Sequence, residues 1–188
     1  MNFIVSPRAD QIFYADAFVI EGRGCLVMGH GKTEMCRLAT DKVRDVEIGP
    51  DHICLIREGD CLYAQFEMIQ TCDAYVPTPH PVHHMIRCLS DAETARAFGP
   101  GPRSLSLTDY DEFVRLCHFN ITYNPDLLGA LRSEMGPVRY GEFASPARRV
   151  ERFRALTSGV PGMRFIVVPW MDSVEEKAKM LREYLRAA

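Results

Sequence analysis

Three stretches of this 188-residue chain concentrate side chains able to hold a metal ion or an anion. The densest is His80-Pro81-Val82-His83-His84, followed by Cys88. Imidazole and thiolate are the usual zinc donors, so His80, His84 and Cys88 form a candidate metal set. His80, His83 and His84 form a candidate set for any other ligand. The spacing matches no closed structural zinc site, since the chain contains neither Cys-x-x-Cys nor His-Glu-x-x-His. On an extended segment His84 and Cys88 share one face while His83 points to the other. A polar, proline-rich loop accounts for the same histidines without a metal.

The second stretch, Gly29-His30-Gly31-Lys32-Thr33, ends like a phosphate-binding loop. That motif requires Gly-x-x-x-x-Gly-Lys-[Ser/Thr], and the position of its first glycine is occupied by Leu26. A glycine-rich turn can still cradle an anion with backbone amides, which makes Gly29, His30 and Lys32 candidate ligand-binding residues. The plainer expectation is a turn between two strands with a solvated lysine. The third stretch, Cys117-His118, makes no catalytic dyad, because helical neighbours project about 100° apart. Cys117 instead continues an apolar stripe with Tyr110, Phe113 and Val114. Six arginines at 132, 139, 148, 149, 152 and 154, with Tyr140 and Phe143 for stacking, suggest nucleic acid. Glu134, Glu142 and Glu151 interrupt them, and Arg148 and Arg152 read as the solvated face of a helix.

Composition sets the wider frame. The chain is 47% hydrophobic and 25% charged, ordinary values for a folded domain. A chain of this length buries enough surface to fold without a metal or disulfide. A net charge of −3 offers no general attraction to nucleic acid or anionic membrane. No segment approaches the ~20 apolar residues that span a bilayer. Residues 1–8 lack the basic region and apolar core of a secretion signal. Seven scattered cysteines are an odd number, and some sit inside apolar runs, as in Ile53-Cys54-Leu55-Ile56. Reduced thiols in the cytoplasm are therefore expected.

The elements that must position these residues fall into two halves. Strands are expected within 11–20, 25–28, 43–48, 52–57, 61–68 and 71–76, with Glu58-Gly59-Asp60 closing the clearest hairpin. Leu62, Ala64, Phe66 and Met68 alternate with polar residues, the pattern of a sheet with one buried face. Three prolines in 77–81 mark a subdomain boundary, with 1–76 strand-rich and 82–188 helix-rich inside one compact domain, 1–188. Residues 82–89 read as a further strand. Helices are expected after the Ser90/Glu93 capping box, after Thr108, after Asn124-Pro125 and Ser145-Pro146, and after Asp172 or Ser173. The run Arg164–Trp170 reads as a strand buried on both faces. The fold class expected is α+β, with an antiparallel, meander-rich first half and helices around one buried strand in the second.

No complete catalytic set stands out. The expectation is a non-catalytic module that binds a small molecule or a protein partner, with homo-oligomer formation left open and nucleic acid disfavoured. The alternative is a metal-dependent enzyme with zinc near residues 80–88. There His80, His83 or His84 would hold the ion, and Asp73 or Asp91 would serve as base.

Overall fold

Strand-forming residues between 11 and 20 divide at Ala15 into β1 (Ile12–Tyr14) and β2 (Asp16–Ile20). Glu21 and Gly22 then take positive φ, 52° and 72°, a turn backbone whose twist suits an antiparallel hairpin. Ile20 accordingly pairs with Arg23 at the start of β3 (Arg23–Gly29). After β3 come α1 (Lys32–Ala39) and β4 (Glu47–Gly49). A second hairpin follows, β5 (His52–Glu58) with β6 (Cys61–Phe66), turning at Gly59 with φ 58°. Leu62 and Ala64 are buried and Cys61 is exposed, so this arm has the single buried face its alternation predicts.

The proline-rich stretch does not end pairing altogether. β7 (His80–Pro81) adds to β6 as an edge strand, where the missing proline amide is harmless. The chain continues through β8 (His84–Cys88), α2 (Asp91–Phe98), β9 (Ser106–Leu107), α3 (Tyr110–Leu116) and α4 (His118–Thr122). It ends with α5 (Pro146–Thr157), β10 (Arg164–Val168) and α6 (Val174–Ala187). This computed structural model describes residues 11–40, 47–49, 52–66, 79–100, 103–122 and 145–188. The strand expected at 71–76, the helix after Asn124-Pro125, Asp73 and the arginines at 132 and 139 lie outside the described residues.

The helix starts follow their side chains. The Ser90 amide donates to Glu93 Oε2 at 2.8 Å, and the Glu93 amide donates to Ser90 Oγ at 3.4 Å. That reciprocal pair is the capping box. Asp109, rather than Thr108, caps α3, accepting from the Glu112 amide at 2.9 Å. The Thr108 amide is already engaged by the Phe165 carbonyl at 3.0 Å, beside the pairing of β9 with β10. Ser173 caps α6.

Among the described residues there are two sheets, ordered β1-β5-β6-β7 and β4-β2-β3-β8-β10-β9. The three central strands of the larger sheet, β3, β8 and β10, run parallel. Their side chains alternate between two cores. Leu26, Met28 and Met85 join Phe13, Leu55, Phe113 and Phe153 between the sheets and beneath α3, α4 and α5. Cys25, Val27, Ile86, Ile166 and Val168 pack with Met35 of α1 and with Ala178, Leu181 and Leu185 of α6. Burial on both faces explains why residues 165–168 read as an unbroken apolar run. The chain is an α+β fold whose centre is a small parallel sheet.

Candidate anion-binding site

The residues around Gly29 form a strand-to-helix corner, not the expected turn between two strands. β3 runs through Met28 into Gly29, whose φ is 110°. A Cβ there would sit 1.8 Å from Arg87 Nη1 and 2.0 Å from the Cys88 carbonyl oxygen, so only glycine fits. The His30 amide donates to that carbonyl at 3.0 Å. Gly31, at φ 63°, is the N-cap of α1 and offers no side chain to the first helical amides. Those amides, carrying the positive end of the helix dipole, point at the corner.

Lys32 is not solvated. It is 4% exposed, and its Nζ donates to Asp16 Oδ1 at 2.6 Å while lying 4.7 Å from the Tyr14 ring centroid. The Thr33 hydroxyl donates to the other oxygen of Asp16, which is itself fully buried. The loop's lysine and hydroxyl thus share an internal carboxylate from the neighbouring strand.

A second lysine arrives from α6. Lys177 is 1% exposed, and its ammonium stands 4.7 Å from the Trp170 ring centroid. It lies 3.7 Å from the place a Cβ on Gly31 would occupy. Among the described residues no hydrogen bond or ion pair engages its Nζ. A buried cation without an anion is costly, and the indole face compensates only in part. His30 also packs against Trp170, with 5.2 Å between the ring centroids. The Trp170 amide donates to Thr94 Oγ1 at 2.6 Å, fixing the loop after β10 to α2. Gly29–Lys32, Cys88 and Trp170 therefore meet at the carboxyl ends of the three parallel strands, the usual binding edge of such sheets.

The histidine cluster is placed elsewhere. His80 lies on β7 in the smaller sheet, and His83 is exposed just before β8. His84 and Cys88 occupy opposite ends of β8, roughly 13 Å apart at the rise of an extended strand. The metal set His80, His84 and Cys88 is not brought together, and among the described residues no group of three or more His, Cys, Asp or Glu is arranged to hold a metal. Burial pushes the Cys88 thiol up to about 12, which disfavours the thiolate a metal requires. Asp91 is exposed and lies 3.5 Å from Arg103. Cys117 is buried in the core, as its stripe predicts, and desolvation raises its pKa.

Sequence reasoning missed Asp16, Lys177 and Trp170. The first two had a signal: each is a charged residue on an otherwise apolar, inward-facing side of its element. Arg149 carries the same signal. It is buried, donating to the Ile121 carbonyl at 2.8 Å and the Ile12 carbonyl at 2.6 Å. It is not part of a solvated basic face.

Comparison with protein-family models and with curated proteins finds no match to this chain. Among solved structures it is similar to the HPr(Ser) kinase/phosphatase from Coxiella burnetii, at 12% identity and a TM-score of 0.48. The likeness covers 94% of this chain and 97% of that one. At that level it carries no argument about activity.

Proposed function

We propose that this chain is a ligand-binding module that captures a phosphate-bearing small molecule at Gly29–Thr33. One observation carries the reading: the buried Lys177 ammonium has no anionic partner among the described residues and faces an uncapped helix N-terminus. Amides at a helix start and a buried cation converging on one point are complementary to a compact oxyanion. Lys32 is anchored by Asp16, so in this reading it sets the loop's shape and field while Lys177 supplies the direct charge. Two residues, His30 and Gly31, connect β3 to α1, a loop shorter than a full phosphate-binding loop, which suits a terminal phosphate better than a wrapped polyphosphate. Free thiols at the six described cysteines fit a reducing, cytoplasmic setting.

Trp170 is the single tryptophan of the chain, so its fluorescence reports on the site directly. Titration with inorganic phosphate or pyrophosphate should give a saturable change. Lys177→Met should weaken it roughly 10- to 100-fold, the worth of a charge-assisted hydrogen bond. No saturable change at ~10 mM, or equal affinity in Lys177→Met, would remove the proposal.

A further inference from the structure

The opposite edge of the same parallel strands carries a second unsatisfied group. His84 opens β8 and is 2% exposed, yet neither ring nitrogen has a hydrogen-bond partner among the described residues. Its strand register places it between Cys25 of β3 and Arg164 of β10. Arg23 lies two residues before Cys25. By the alternation of strand side chains, Arg23, His84 and Arg164 stand on one face of the sheet, the face that α6 covers. Neighbouring strands are about 4.8 Å apart, so Arg164 stands directly beside His84, while Arg23, two residues before the register partner Cys25, stands diagonally from it, and the three form a short staggered row, arginine–histidine–arginine.

Nothing in the described structure balances that row. Neither the Arg23 nor the Arg164 side chain makes a hydrogen bond or ion pair with a described residue. His83 borders the row, with Nδ1 accepting from the Gly24 amide at 3.0 Å, which leaves its Nε2 as the donor. Glu21, in the turn just before Arg23, is already bound by Arg182 at 2.7 Å and Arg186 at 3.0 Å, both from α6. The local carboxylate is therefore engaged twice over, and the edge remains electropositive. Guanidinium pairs flanking an imidazole are a donor set suited to a tetrahedral dianion, since each fork can present two parallel N–H groups.

We propose that Arg23, His84 and Arg164, with His83 at the rim, bind a phosphate dianion or the phosphate of a small phosphomonoester. This site is separate from the Gly29–Thr33 corner, because it lies at the amino ends of the strands whose carboxyl ends form that corner. Binding gives the two guanidiniums a counter-ion and gives the His84 ring the hydrogen-bond partner it lacks.

The test uses the full chain labelled with 15N, following the His84 ring nitrogens while inorganic phosphate is added. Saturable shifts are expected, with the midpoint of His84 titration moving upward by ~1 pH unit as the surrounding positive field is neutralised. Arg164→Gln, an exposed position, should weaken this response ~10-fold or more, and Arg23→Gln should do the same. Lys177→Met should leave it unchanged, so failure here and failure of the Gly29–Thr33 reading are told apart. Sulfate should compete and acetate should not. An unmoved His84 signal at ~10 mM phosphate, or equal responses in the wild type and Arg164→Gln, would overturn the site. Acetate binding as strongly as phosphate would overturn its assignment to a tetrahedral dianion.

Discussion

Acid should destabilise this protein through one buried imidazole. Burial first, and then the neighbouring Arg23, Arg164 and His83, lower the pKa of His84 from 6.5 to about 4. Below 6.5 the unfolded chain takes up a proton that the folded chain refuses until about 4. Folding stability therefore rises with pH across this window and is lost as pH falls through it. At 1.36 kcal/mol for each pH unit between the two values, the full effect is about 3 kcal/mol. For a chain of this size that corresponds to roughly 6–12 °C in melting temperature. The perturbation is His84→Leu, which fills similar space without a titrating group. At pH 7 it should match or exceed the wild type, because two unsatisfied buried polar atoms are removed. The assay is chemical denaturation at pH 7 and pH 4.5 in buffers without phosphate or sulfate, so that an anion does not mask the effect. The wild type should lose 2–3 kcal/mol more than His84→Leu between the two conditions, allowing for incomplete titration at pH 4.5 (~0.5 unit above the lower midpoint). Equal losses would refute the reasoning, and so would a variant that is less stable at pH 7 by several kcal/mol.

Three further outcomes follow from single contacts. Gly29→Ala forces a Cβ onto the Cys88 carbonyl at 2.0 Å and should cost more than ~3 kcal/mol in denaturant unfolding, since backbone cannot step aside; a loss under ~1 kcal/mol would contradict the corner geometry. Arg149→Ala strips the Ile12 and Ile121 carbonyls of their buried donor and the Phe13 ring of its guanidinium contact at 5.0 Å, so a loss of ~3 kcal/mol is expected, against near zero for a solvated arginine. Ser90→Ala removes half of the capping box and should cost about 1 kcal/mol, measured as a shift in denaturation midpoint with the slope unchanged.

What the sequence revealed, and what it hid, follows from how far each signal reaches along the chain. The capping box at Ser90 is complete within four residues, and the alternation of Leu62 with Ala64 within three, so both could be read locally. The apolar run at 165–168 was legible because burial on both faces removes polar residues from a strand. Yet nothing in that run names its neighbours: β8 lies about eighty residues earlier and β3 earlier still, and parallel pairing leaves no turn to mark it. The corner at Gly29 shows the same limit. Gly29, Gly31 and Lys32 were visible as an anion-binding pattern, but whether the chain turned into a strand or a helix depended on α6 packing over Met35 and Cys36. Once the helix forms, Lys32 is drawn inward to Asp16, and the exposed lysine of the local reading no longer exists. Lys177 is the reverse case. Its position on the apolar stripe of α6, beside Ala178, looks like an error of amphipathicity until Gly31 is seen next to it. A charged residue on a buried face is a defect in the local pattern and a requirement of the tertiary one. His84 is such a residue as well. Its spacing from Cys88 suggested a shared metal, whereas the strand holds the two apart and sets His84 instead between arginines that are sixty and eighty residues away.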